Sequence, residues 1–480
     1  MQMNSGRMYQ YATMWENLQM EVIRPGNCMH CGACVGLNPN SLEFRNSDMG
    51  PLPEKRDKKA QINPVFMEVA RAVCPGRGIP YPELNRFLDY ESKNELIGHY
   101  LNIYTGHSSV QRIREGAASG GIISHVLIHL LESGEVDGAV VLQQGRKHPE
   151  KAEPFIATSR EDILSAAQSI YAVTPTLTLL PEMENFDGKL AFVGLPEQVA
   201  ALRMLQAAGN TAASKVTFIV GPYTGTNMYG QAVRAYLRAQ GVPDEMNVTS
   251  LKWRAGEWPG YLRIETEDGQ LYQAKKFYYN YLIPFYISRN CQIIPDFTNE
   301  LTDLSVGDAW SPEFEEMGGG HSVIVSRSKA SEQILNEMSR RKQIELVQIQ
   351  LEKALNMHGH MLDFKKRGTF LRLDAQKSAG KPVPDFGYRP KSIPFTRKVV
   401  ESILSFIFSI GKLSVTRKLV TFVPDKILGS AFDTLRKSWK SVSKPSKRKG
   451  LMTIDFEVTG DMKRWDEIQS LHPRNESPRC

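Results

Sequence analysis

Three cysteines lie three positions apart in the run C-M-H-C-G-A-C, as Cys28, Cys31 and Cys34, and Cys74 follows much later, directly before Pro75. Thiolates at that spacing wrap the backbone around one face of an iron–sulfur cube, and a distant Cys-Pro closes the fourth iron. Gly32 and Ala33 are small enough for a tight turn beside inorganic sulfide, and Pro75 stiffens the exit from its loop. A zinc site would more often show two separated Cys-x-x-Cys knuckles or a Cys/His mix, and His30 stands between two better ligands. Disulfides would need an oxidising compartment, and no secretory signal peptide precedes the motif. Three thiols crowded into seven residues favour the cube. Cys28, Cys31, Cys34 and Cys74 are therefore the expected ligands of one 4Fe-4S cluster, and electron carriage is the expected task.

Length and composition suit a cytoplasmic enzyme of more than one unit. The chain has 480 residues, 41% of them hydrophobic and 23% charged, enough to bury a sizeable core. No unbroken apolar stretch reaches the roughly 18–20 residues of a spanning helix. The net charge of +7 is unevenly placed. Residues Lys391–Gly450 hold 14 Lys+Arg against 3 Asp+Glu, a local +11, which leaves −4 for the remainder. The basic character therefore belongs to a C-terminal segment.

Four regions follow along the chain. Residues 1–27 read as a polar leader without a targeting pattern. Residues 28–98 read as the cluster module and a connector, loop-rich between Cys34 and Cys74. Residues 99–380 alternate strand and helix. Residues 381–480 read as a basic, mostly helical extension. In the third region, Tyr100–Tyr104 is β-like, Gly120–Ser133 carries one apolar helical face, and Val136–Leu142 reads as a buried strand. Strand–turn–helix units recur at Lys189–Ala208 and Lys215–Gln240. They predict a layered α/β fold with a largely parallel sheet. Tyr261–Lys275 reads as a hairpin turned by Asp268-Gly269. Asp303–Trp310 and Val323–Ser326 read as further strands.

Gly116-Ala117-Ala118-Ser119-Gly120-Gly121 precedes the first of these helices. Small residues at a helix N-terminus let backbone N–H groups approach an anion, and Ser119 adds a hydroxyl. The run alone is also that of a capped helix after a glycine turn, and it is neither a Rossmann fingerprint nor a P-loop.

In combination the motifs say more. The cysteine set, Ser119-Gly120-Gly121, Glu132–Val141, F-V-G-L-P-E-Q at 192–198, G-P-Y-T-G-T-N at 221–227, Arg254 to Gly260, and Cys291 to Asp308 resemble, in order, the beta-subunit family of coenzyme F-420 hydrogenases and dehydrogenases. The resemblance runs over roughly residues 25–360. It implies an α/β domain that binds FAD and exchanges electrons with iron–sulfur clusters, commonly with coenzyme F-420 as hydride partner. It implies that Ser119, Gly120 and Gly121 contact the flavin, with Ser169, Tyr171, Gly307 and Asp308 near it. It also implies a redox partner protein, either ferredoxin or a hydrogenase- or dehydrogenase-type subunit. The other readings are a ferredoxin-dependent reductase of a tetrapyrrole or other organic substrate, and a non-catalytic electron relay.

The departures narrow this picture. Relatives often hold a second cluster at positions that here carry Glu197, Tyr223, Cys291 and Ile294. Three of those four thiolates are missing, so a single cube is expected and Cys291 reads as a buried free thiol. Glu197 reads as a solvated or salt-bridged carboxylate, with a proton relay as the alternative, and Tyr223 as a packing residue. Arg254 and the Lys275/Lys276 pair are candidates for anionic cofactor groups, although exposed cations on a strand are the ordinary reading of the lysines.

Beyond residue 380 the resemblance ends. Lys381–Pro394 reads as a Pro-rich linker. Val399–Ile410 and Val415–Val423 read as amphipathic stretches with a cationic border, suited to an anionic membrane surface or to packing on the body. Ser443–Lys449 is a basic run without stacking aromatics, which argues against nucleic acid. Thr453–Cys480 is expected to fray, and Cys480 is no lipidation box.

Overall fold

Unbroken apolar runs mark strands buried on both faces, and such runs occupy the middle of this protein. A computed structural model describes residues 14–47, 50–275, 278–423 and 425–472. Lys276, Cys480 and the first half of the expected leader lie outside them. Eight strands form one sheet: β1 (Asn102–Ser108), β2 (Gly138–Gln144), β3 (Ala152–Ala157), β4 (Leu190–Val193), β5 (Val216–Pro222), β6 (Leu304–Asp308), β7 (Ser322–Ser326) and β8 (Ile344–Gln348). Their order is β8-β1-β7-β6-β5-β4-β2-β3. The middle four, β6, β5, β4 and β2, run parallel, with Phe192 opposite Val140 on one side and Ile219 on the other. The outer strands pair antiparallel, so the sheet is mixed where the sequence predicts a largely parallel one. The β2–β3 link is too short for the crossover that a parallel pair needs.

Each face of the sheet carries helices. On one face, Val126 of helix Ile122–Glu132 and Leu335 of helix Lys329–Arg340 bury against Ala191 and Val220. On the other, helix Pro196–Ala207 is buried along nearly its whole length, with Val199, Leu202 and Leu205 fully enclosed. Fully burying such side chains contributes roughly 1.5–3 kcal/mol each. The predicted hairpin forms as Tyr261–Thr266 and Leu271–Lys275, and Val248–Ala255 joins it in a separate antiparallel sheet. Helix Gln231–Ala239 shares that sheet's core.

Several expectations are corrected. The segment between Cys34 and Cys74 is not mainly loop: Leu42–Ser47 pairs with Gly50–Lys55, and helix Pro64–Ala72 starts where Asn63 Oδ1 accepts from Val65 N and Phe66 N. A Pro at the first helical position and an Asn before it are ordinary start signals. The described part of the leader is helical, and Leu18 and Val22 are buried beside the cysteines. Lys381–Pro394 is no free linker, because Phe386 is buried and Tyr388–Pro390 pairs with Phe456–Val458. The described end of the chain does not fray: helix Met462–Gln469 docks on the N-terminal module, with Trp465 and Ile468 in its core.

The basic extension is fastened by buried charge. Arg397, on helix Phe395–Gly411, has no exposed surface and pairs with Asp363 at 2.6 Å and Glu401 at 2.8 Å. Arg372 takes the other oxygen of Glu401 at 2.5 Å, and Arg367 takes the other oxygen of Asp363 at 2.6 Å. Burial pushes the Asp363 carboxyl up, and the two arginines oppose that shift. Removing one partner of such a network leaves uncompensated buried charge, which costs about 3–5 kcal/mol. Arg397→Met is therefore expected to lose about that much in a urea titration. A loss well below 1 kcal/mol would show that the network does not hold the extension.

Candidate functional site

Cys28, Cys31, Cys34 and Cys74 line one small, largely apolar cavity with Leu18, Val22, Phe44 and Ala70. Short helices and turns place them there. Gly32 has φ +103°, and a Cβ on it would lie 2.7–2.8 Å from backbone atoms of Pro175, Leu177 and Thr178, so the Cys31–Cys34 turn fits closely against that loop. Leu177 N donates to Cys31 O at 2.9 Å. At the far side, Arg464 donates to Cys74 O at 2.5 Å and Ala72 O at 3.3 Å. Burial pushes the Cys28 thiol up to about 12, with Cys74 adding to the rise, and raises the other three as well. Ligation of a positive centre is what would hold four such sulfurs as thiolates. Among the described residues no three His, Cys, Asp or Glu side chains are grouped to hold a single metal ion. His30 turns its Nδ1 to Pro51 O at 2.7 Å, and burial lowers its pKa to about 4.

The second site is a cavity of about 290 Å³ at the C-terminal ends of β2, β4, β5 and β6. Open α/β sheets place ligands there, because the loops leaving parallel strands diverge at that edge. Six of the seven residues expected near a flavin line it: Ser119, Gly121, Ser169, Tyr171, Gly307 and Asp308. Gly120 is set back, with its N–H bonded to Ser322 Oγ and no room for a Cβ against Gly106 O at 2.6 Å. The Ser119 hydroxyl donates to His321 O at 2.6 Å, so it fastens the loop before the helix. Gly307 packs so closely on Tyr223 that a Cβ would lie 2.4 Å from the ring. Tyr223 leans on Phe297 and His358, in keeping with a packing role.

Arg254 is the charged centre of this cavity. Its side chain is 2% exposed; it donates to Pro259 O at 2.7 Å and pairs with Asp308 at 3.3 Å. Burial works against its charge, but Asp308 and Tyr171 outweigh it and hold the pKa above the ordinary arginine value. Arg254 thus ties together Tyr171 and Asp308, which are far apart in sequence. Lys275 is exposed at the end of its strand, the ordinary reading for that residue.

The positions of a second cluster do not assemble thiolates. Cys291 is a buried free thiol that accepts from Asn227 N and Ser288 Oγ, both at 3.1 Å. Glu197 is not solvated, being 2% exposed, and among the described residues it has no close ion pair; Asn290 donates to its Oε1 at 2.6 Å. Burial raises its pKa, against Asn290 and the field of Lys365. Lys365 is itself fully buried and donates to Cys291 O at 2.8 Å. Sequence reasoning missed Lys365, Asn290 and Arg464. Each lies far from its partner along the chain, and nothing local marks it.

Comparison with known proteins follows the same lines. Residues 103–181 match the model for the N-terminal part of the coenzyme F-420 hydrogenase/dehydrogenase beta subunit, and residues 187–352 match the model for its C-terminal part. Together these spans make up about half of the chain. The chain belongs to that family. It is similar to the coenzyme F-420 hydrogenase beta subunit of Methanothermobacter thermautotrophicus, at 25% identity over 60% of this chain and 99% of that protein. It is also 23% identical to the coenzyme F-420-dependent sulfite reductase of Methanocaldococcus jannaschii, over 74% of this chain but only 53% of the relative. A chain of the F-420-reducing [NiFe] hydrogenase complex of Methanosarcina barkeri superposes with a TM-score of 0.48 at 22% identity, over 59% of this chain and 96% of that one. As a member of the family, the protein is an oxidoreductase of the F-420 hydrogenase/dehydrogenase beta-subunit type.

Proposed function

We propose that this protein is a flavin- and iron–sulfur-dependent oxidoreductase that exchanges hydride with coenzyme F-420 and passes single electrons through one 4Fe-4S cluster. The observation that carries the reading is the gathering of Ser119, Gly121, Ser169, Tyr171, Gly307 and Asp308 around one cavity at the strand ends. FAD is the group assigned to that cavity, and when bound it supplies the conversion between a hydride and two single electrons. The protein's own share is position, charge and exclusion of water. Small residues at 116–121 leave backbone N–H groups at the start of an eleven-residue helix, where an anion is favoured. Arg254 keeps its charge in a buried pair with Asp308 and beside Tyr171, and so fixes both side chains on the wall. Cys28, Cys31, Cys34 and Cys74 fit a cube, since their cavity is largely apolar, Cys31 is buried and the other three are half-buried, and they come from the two chain segments that such a motif needs. A ferredoxin or a hydrogenase- or dehydrogenase-type subunit is the proposed partner, and the cytoplasm the proposed compartment. The test is anaerobic mixing of the flavin-loaded protein with reduced F-420, following the flavin absorption. Bleaching by reduced F-420 is expected. Flavin reduced by ferredoxin but untouched by reduced F-420 would assign the protein to the ferredoxin-dependent reductases instead.

The extension gives the protein a proposed second contact, with an anionic membrane surface. Among the described residues no single helix is long and apolar enough to cross a membrane, although Phe395–Gly411 and Ser414–Val420 pass that test together as a pair bent by 80°. Val399, Ile403, Phe406, Ile407, Ile410, Leu413, Val415 and Leu419 are exposed on that pair, with exposed Lys398, Lys412 and Lys418 among them. Apolar side chains with a cationic border suit the headgroup region of an anionic bilayer. The protein is expected to sediment with phosphatidylglycerol vesicles and not with phosphatidylcholine vesicles, and Phe406→Ser with Ile410→Ser is expected to weaken this at least about tenfold. Equal behaviour of the variant would remove the membrane from the account.

A further inference from the structure

A second, larger concavity lies outside the sites described so far. Its volume is about 1100 Å³, at the upper end of small-molecule sites. One wall is Trp258, Pro259 and Trp310, and the floor is the face of helix Leu351–Asp363 that carries Asn356 and His360. The opposite wall is helix Asp425–Arg448, which lies beyond the span that matches the family models. That helix presents Arg436, Lys440, Lys444 and Arg448 to the cleft. They are four residues apart, so they stack on one helix face over roughly 18 Å.

Like charges at this spacing repel and destabilise a helix. Arg436 is neutralised by Asp433 at 2.8 Å. Lys440, Lys444 and Arg448 have no carboxylate within ion-pair distance among the described residues. Burial and the neighbouring Arg436 and Lys444 hold the Lys440 pKa below its ordinary value. Burial, His358 and the same lysines lower His360 across the cleft to about 3. Two acids, Glu315 and Glu352, also border the cleft, and Lys353 there is held by Glu313. The positive potential is concentrated along the helix face. The two indoles, with ring centres 4.7 Å apart and planes tilted by 36°, give the other side an aromatic wall.

We propose that this cleft binds a small organic polyanion, a molecule with several phosphate or carboxylate groups and a flat ring. The charged groups relieve the repulsion along the lysine row, and the ring lies against the Trp258/Trp310 wall. The cleft is set apart from the strand-end cavity, but the two share a wall. Pro259 borders the cleft, and its carbonyl accepts from Arg254, which borders the cavity. The proposal holds whether or not the cavity takes a flavin. A protein segment would also find positive charge here, but the depth of the cleft and its indole wall favour a small ligand.

The test is isothermal titration calorimetry on the full chain, with inorganic tripolyphosphate as the phosphate probe and benzenehexacarboxylate as the ring-bearing carboxylate probe. Saturable binding of at least one probe is expected, with tryptophan fluorescence changing on binding of the second. Lys440→Gln with Lys444→Gln is expected to weaken binding about a hundredfold, about tenfold for each ammonium group removed. Because the double change relieves repulsion, the variant should remain folded, with an unchanged or higher melting temperature. Lys437→Gln, outside the row facing the cleft, should leave both affinities unchanged. Absence of saturable binding to either probe, or equal affinity in the double variant, would overturn the proposal. So would binding restricted to anionic vesicles or an acidic peptide, because the row would then be a macromolecular surface.

Discussion

Four cysteine sulfurs can share one largely apolar cavity only if the chain brings distant segments together around them, and much of this architecture serves that closure. Cys28, Cys31 and Cys34 sit on a turn packed so closely on the loop at 175–178 that only glycine fits at position 32. Cys74 is held by Arg464, whose helix comes from near the end of the chain. Leu18 and Val22, from the first described residues, complete the wall. The N-terminal module, the central sheet and the C-terminal helix therefore share one core, and Met29, Val140, Phe192 and Ile468 all belong to it. Losing any of these segments would expose the sulfurs to water.

The second organising feature is the edge where four parallel strands end. The strand order places Gly194, Pro222 and Gly307 at that edge, and the Ser119–Gly121 turn closes it from the side. Arg254 crosses from the smaller antiparallel sheet to meet Asp308, which sets one ion pair in an otherwise largely apolar cavity. Where relatives are expected to carry a second cluster, this chain has the buried carboxyl of Glu197, Tyr223, the hydrogen-bonded thiol of Cys291 and Ile294, with the buried Lys365 beside Cys291. Glu197, Lys365 and Cys291 are each penalised by burial in their charged forms. Of the four positions, only Cys291 carries a thiol, and it is hydrogen-bonded to Asn227 and Ser288.

What can be read from the sequence follows from the range of the interactions involved. The cysteine motif and the apolar strands of the parallel layer are local patterns, and the strands place the middle of the sheet to within a few residues. The hairpin at Asp268-Gly269 is legible for the same reason. Glu197 reads wrongly as a solvated or salt-bridged carboxylate because its buried hydrogen-bond donor, Asn290, is about ninety positions away. The expected linker and frayed end prove to be packed because their partners, Tyr388 and Phe456 in one case and Arg464 and Cys74 in the other, are paired only by the fold. The four-residue spacing of Arg436, Lys440, Lys444 and Arg448 is visible in the sequence. The cleft it faces is not, because Trp258 and Trp310, which also line it, lie more than a hundred positions earlier in the chain.

The central claim is that one flavin and one cube share this chain. The most direct measurement is iron, acid-labile sulfide and flavin quantified on one anaerobically purified sample, for the native protein and for Cys291→Ala. The account predicts about four irons, four sulfides and one flavin per chain, unchanged by the substitution. Iron without flavin, zinc without sulfide, or loss of iron in Cys291→Ala would contradict it.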